Sequence, residues 1–112
     1  MGELIPIPEN KPIALLKPGE TKYFLAVLSE HDDIKPQYFL ASSWQDAQTF
    51  AKVIISRTNL QYVEISAVTR GLKASYEIAR EKYWQDKNGK FWCEENKYTA
   101  ETLELLMEMD SE

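Results

Sequence analysis

The order of apolar and polar residues changes period several times along the chain, and each change predicts an element. Residues 21–29, Thr-Lys-Tyr-Phe-Leu-Ala-Val-Leu-Ser, are apolar on both sides of a two-residue alternation. A strand in the middle of a sheet, buried on both faces, has this pattern. A polar connection, His31-Asp32-Asp33 with Lys35-Pro36, leads to a second predicted strand over 37–42. The tetrad Tyr-Phe-Leu-Ala occurs in both strands, at 23–26 and 38–41, while nothing around it recurs. It therefore reads as two paired strands of similar composition, not as an internal repeat.

Beyond Ser42 the period lengthens. Ala47, Phe50, Ala51 and Ile54 recur at i, i+3, i+4 and i+7, one face of a helix with Trp44 in its first turn. Ser42 with Gln45 matches a capping box, Ser43 with Asp46 is a near match, and Asn59 is a stop signal. Residues 60–69 return to alternation, with Val63, Ile65 and Ala67 on one side and Tyr62, Glu64 and Ser66 on the other. That is a strand with one buried face, closed by Gly71.

Residues 72–85 carry two signals. Leu72, Tyr76, Ala79 and Tyr83 fall at helical spacing among Ala, Glu, Arg and Lys, which are good helix formers. Tyr83-Trp84 and Phe91-Trp92 around Asp86-Lys87-Asn88-Gly89 read as a hairpin, because Asn-Gly is the strongest short hairpin signal. The combined expectation is a helix to about Lys82 and a hairpin from Tyr83 to about Glu94. Thr99 can cap a last helix, with Leu103, Leu106 and Met107 on one face and Glu101, Glu104 and Glu108 on another.

The expected fold is α+β. It is a single small domain with a mostly antiparallel sheet of four or five strands and two or three helices. The chain divides into a Pro-rich N-terminal arm over 1–20, an α+β domain over 21–98, and an acidic amphipathic C-terminal helix and tail over 99–112. The arm contains Pro6, Pro8, Pro12 and Pro18, yet Ile5, Ile7, Ile13, Leu15 and Leu16 are apolar. An apolar arm packs on its own body or on a partner. Pro18-Gly19 marks a turn at its end.

Charge changes the picture by its position. The 112 residues hold 18 acids and 13 bases, net −5. Five acids and no base lie in 99–112, which leaves 13 acids and 13 bases in the first 98 residues. A neutral body shows no overall cationic surface for nucleic acid, and acids confined to one end do not imitate DNA. No run of about 18 apolar residues is present for a membrane span. No basic stretch followed by a long apolar core opens the chain, so no secretory signal is expected. A single Cys makes no internal disulfide and fits a reducing compartment, which predicts a cytoplasmic protein.

Candidate chemistry is sparse. His31 with Asp32 and Asp33, and Cys93 with Glu94 and Glu95, are the clusters containing His or Cys. Consecutive residues point in different directions, so neither run reads as a metal site, and no metal or cofactor is expected. Cys93 would need His31 as its base, and nothing in the sequence brings them together. Cys93 reads instead as a small core residue. Glycines at 2, 19, 71 and 89 form neither a P-loop nor a dinucleotide fingerprint. No catalytic residue is singled out, and a small enzyme without a recognisable motif is the weakest reading.

The aromatic hairpin carries the functional expectation. Tyr83, Trp84, Phe91 and Trp92 lie within ten residues, flanked by Arg80, Lys82, Lys87 and Lys90. Such rings fill a core, anchor a protein interface, or stack on nucleotides between the bases. Neighbours on a strand alternate faces, so only one ring of each adjacent pair points inward. The main expectation is a small non-catalytic protein-binding module, an adaptor, regulator or inhibitor. Trp84 and Trp92 would be its anchors, and Glu101, Glu104 and Glu108 its charge complement. Compact chains without motifs are typical of accessory proteins, including those of phages and mobile elements. The alternative is a nucleic-acid-binding module using Arg80, Lys82, Lys87 and Lys90. A homodimer reached through the Ile-Pro-Ile-Pro arm is compatible with the sequence.

Overall fold

The computed structural model describes residues 2–7, 16–31, 33–58, 60–97 and 100–111, with the side chains of 97, 100–103 and 111 excepted. Asp32, Asn59, Thr99 and the side chains of Glu101 and Leu103 therefore lie outside the described residues, as do residues 1 and 8–15 of the Pro-rich arm. Six strands and two helices follow one another as β1 Leu4–Ile7, β2 Thr21–Ser29, β3 Gln37–Ala41, α1 Trp44–Ile55, β4 Gln61–Arg70, β5 Ser75–Gln85, β6 Phe91–Lys97 and α2 Ala100–Ser111. The strands form a single antiparallel sheet in the order β1-β3-β2-β4-β5-β6. The fold is α+β, with six strands where four or five were expected.

Both additions have a physical reason. Leu4–Ile7 joins the sheet beside β3, with Pro6 opposite Phe39. Proline donates no ladder hydrogen bond, so it is tolerated in the outermost strand and not in an inner one. Residues 75–85 form β5, not a helix to Lys82. β5 is held between β4 and β6, and cross-strand packing outweighs the helix propensity of Ala, Glu, Arg and Lys. The helical spacing itself comes from an irregularity in the β4–β5 register after Ala67, where Ala67 faces Ala79 and Val68 faces Glu77. Ile78 is the extra residue of this bulge. It places Tyr76, Ala79 and Tyr83 on one face, and Glu77 with Arg80 on the other.

β2 is central, as its two apolar faces require. The two Tyr-Phe-Leu-Ala tetrads pair with each other in opposite directions, Tyr23 with Ala41 through Ala26 with Tyr38. α1 then crosses behind β2 to start β4, so one layer of helix covers one face. Its first residue is Trp44, and Ser43, not Ser42, is the N-cap, accepting from the Asp46 N–H at 3.0 Å. Ser42 donates to the Asp46 carboxylate instead. Ala47, Ala51 and Ile55 are fully buried against Leu25, Val27, Val63, Ile65 and Tyr83, with Phe50 and Ile54 at the margin. Small alanines at i and i+4 let the helix approach the sheet closely. A polar contact joins the layers at Glu81. Gln48 of α1 donates to Glu81 Oε1 at 2.7 Å, and the Tyr83 hydroxyl donates to the same oxygen at 2.9 Å. Among the described residues, no helix is long and apolar enough to cross a membrane.

Candidate binding face of the sheet

Alternation fixes which residues reach the other face. Leu25, Val27, Val63, Ile65, Glu81 and Tyr83 turn toward α1. Their neighbours Phe24, Ala26 and Leu28 of β2, Tyr62, Glu64 and Ser66 of β4, and Arg80, Lys82 and Trp84 of β5 point the opposite way. Register extends this face to Leu40 and Tyr38 of β3, Ile5 and Ile7 of β1, and Trp92 and Glu94 of β6. No helix among the described residues packs along it. A groove of about 260 Å³ runs across it, lined by Phe24, Leu28, Tyr38, Glu64, Val68 and Arg80.

One end of the face is an ordered ladder of rings and cations. Trp84 and Trp92, directly opposite on β5 and β6, stack with centroids 6.1 Å apart and planes 6° apart. Lys82 Nζ lies 4.5 Å from the Tyr62 ring centroid and 5.4 Å from that of Trp84. Lys90 Nζ lies 4.4 Å from the Trp92 ring. The order Tyr62, Lys82, Trp84, Trp92, Lys90 thus crosses three strands and the turn. Offset stacking and cation–ring attraction each contribute about 0.5–1.5 kcal/mol at such sites.

The turn orients this ladder. Asp86 Oδ1 accepts from the N–H groups of Asn88 and Lys90, both at 2.9 Å, and Oδ2 accepts from the Trp92 indole Nε1–H at 3.0 Å. Asn88 and Gly89 lie in a three-residue loop whose ends are tied by the Asp86 N–H and Lys90 carbonyl, and Gly89 takes φ 79°. A left-handed residue at this place is what such a hairpin needs. Bonds from Trp92, then from the Lys90 and Asn88 N–H groups, hold the Asp86 carboxyl below its ordinary range despite partial desolvation.

The four hairpin rings do not act together. Trp84 and Trp92 share the uncovered face. Tyr83, 2% exposed, is a core residue and offers no surface to a partner. Phe91 packs on Tyr83 from the α1 side, with centroids 5.7 Å apart. The bases also separate. Arg80 is paired with Glu77 at 2.9 Å, Lys82 and Lys90 sit over rings, and Lys87 is an exposed turn residue. Glu104 and Glu108 are exposed on α2. That helix starts beyond Lys97, five residues or about 17 Å of strand from Trp92. The acids and the tryptophans thus belong to different ends of the molecule. The roles of Tyr62, Asp86 and the groove do not follow from the sequence pattern. Only the alternation opposite Val63 and Ile65 signalled Tyr62.

The α1 side holds a separate cluster of titratable groups. Cys93 is exposed on edge strand β6, not a core residue, because no strand or helix covers it there. Its donor atom lies within 4.8 Å of those of Glu81 and Glu95. Glu94, grouped with it by sequence, is on the opposite face. Glu81 Oε1 is already taken by Gln48 and Tyr83. Desolvation pushes the Cys93 thiol up, and Glu81 and Glu95 add to this against the Tyr83 hydrogen bond. The thiol is therefore protonated at neutral pH, the poorly nucleophilic form. His31 lies by the uncovered face, near Tyr62, Lys82 and Trp84, on the other side of the sheet from Cys93.

Comparison with known proteins finds no family model that matches the chain, and no curated protein or solved structure that matches it.

Proposed function

We propose that the protein is a non-catalytic protein-binding module that engages its partner through the uncovered face of the sheet. The observation that carries this reading is the bare face itself, with a groove of mixed apolar and charged lining across β3, β2, β4 and β5 and the Trp84–Trp92 ladder at another part of the same face. Part-apolar surface of this kind with fixed aromatic anchors is what protein interfaces use. With Lys90 and Asp86 of the turn included, the face holds Lys22, Arg80, Lys82 and Lys90 against Glu64, Glu77, Glu94 and Asp86, so it presents no excess of positive charge. That suits a protein surface of mixed charge better than a phosphate backbone, which rewards net cationic contacts. The ladder argues the same way. A nucleotide base needs a free ring face, while Trp92 lies between Trp84 and Lys90 and Lys82 sits over Trp84.

The test is a comparison of wild type with Trp92→Ala, since Trp92 is 41% exposed and Asp86 fixes its ring. A protein captured from host extract by the wild type should bind the variant roughly tenfold or more weakly. Equal affinity overturns the reading. So does oligonucleotide binding at low salt that falls steeply as salt rises, which would transfer the face to nucleic acid.

A further inference from the structure

At the far end of the molecule from the ladder, the turn between β4 and β5 encloses a negative charge. Asp110, near the end of α2, is 6% exposed although its neighbour Met109 is 63% exposed. One carboxylate oxygen accepts from the Leu72 N–H and the other from the Lys73 N–H, the latter at 2.9 Å. The Tyr76 side chain flanks the same site. Two successive backbone N–H groups converging on one anion make a nest of the kind that binds phosphates and carboxylates. Gly71 leaves the room for it. A Cβ there would lie 2.2 Å from Asp110 Oδ2 and 3.0 Å from the Tyr76 ring.

Much of the described surface of α2 is exposed. Leu105, Met107 and Met109 are each at least 45% exposed, and α2 packs lengthwise on no other element among the described residues. Twelve residues are too few for an isolated helix to persist in water. Its last turn has no basic residue to offset the helix dipole.

We propose that the 71–74 turn with Tyr76 is a carboxylate-binding site that the chain fills with its own Asp110, making α2 a displaceable strap. An external carboxylate, such as a partner's acidic side chain or chain terminus, takes the same donors when the strap leaves. This inference is independent of the binding face described above.

Amide NMR of the full chain tests it, with acetate as the probe. In wild type, acetate leaves the Leu72 and Lys73 amides unmoved, because Asp110 occupies them. In Asp110→Ala, acetate shifts those two amides saturably, and the α2 amides lose hydrogen-exchange protection by roughly tenfold or more while those of β2 and β4 keep theirs. Gly71→Ala keeps the carboxylate and expels it sterically, so it loosens α2 to a similar extent with the charge unchanged. The proposal is overturned if acetate moves the wild-type amides as much as the variant's. It is also overturned if α2 stays protected in both variants, or if acetate shifts nothing in Asp110→Ala.

Discussion

The two faces of the sheet are built from the same strands and differ by one residue of phase, yet they do opposite work. Toward α1, Leu25, Val63, Ile65 and Ile55 are sealed from solvent, and the buried Glu81 is satisfied by Gln48 and Tyr83. Away from α1, Phe24, Leu28, Tyr38 and Tyr62 are only half-buried, and charge and ring are ordered by each other instead of by a second layer. Rigidity therefore has two sources here. One face is rigid by close packing. The other is pre-ordered at its tryptophan end by stacking and by Asp86, which holds an anchor in place before a partner arrives.

The widest separation between the faces should appear in stability. Ile65→Ala removes a fully buried side chain and is expected to cost about 2–5 kcal/mol. Ile5→Ala, on the uncovered face and 53% exposed, should fall within about 0.5 kcal/mol of wild type. Urea midpoints with unchanged slope measure both, and comparable losses would mean that the second face is covered after all. Next is Glu81→Ala, which strips the acceptor from Gln48 and Tyr83 inside the packed face. It should cost about 1–3 kcal/mol, with Glu81→Gln losing less because it keeps an acceptor oxygen.

The smallest effect separates the two sources of order by pH. The Asp86 carboxyl is held below its ordinary value in the folded chain. The order it provides is therefore complete above the unfolded carboxylate range near ~3.9 and is lost as pH falls through the depressed folded value. The Trp92 indole N–H resonance should stay fixed from neutral pH down to that range and move only below it. In Asp86→Asn it should no longer titrate, while the α1-facing core resonances of both proteins stay put.

How much of this was legible depends on whether a residue's role is local. The α1 face at Ala47 and Ala51, the alternation of Val63 and Ile65, and the Asn88-Gly89 turn follow from local period and turn chemistry, and the structure has them. β5 was misread because the bulge at Ile78 converts a two-residue period into a three-residue step that imitates a helix. That misreading hid Glu81, whose inward direction follows from Tyr83 only if both lie on a strand. Asp110 was counted as part of an acidic end. Its partners are 37 and 38 residues earlier in the chain, and nothing near it in sequence signals them. Cys93 was placed in the core by residue type alone, which does not register that β6 is an edge.

The repeated Tyr-Phe-Leu-Ala word has a consequence for how the sheet assembles. Read in opposite directions, it sets every ring against an aliphatic side chain: Tyr23 on Ala41, Phe24 on Leu40, Leu25 on Phe39 and Ala26 on Tyr38. A slip of two residues one way would set Tyr23 against Phe39 and Phe24 against Tyr38 and leave Leu25 and Ala26 without partners in the word. A slip the other way would leave Tyr23 and Phe24 without partners in the word. A slip of one would turn every side chain to the wrong face. The word is thus a self-checking alignment mark, written twice, that favours one registration of β2 on β3.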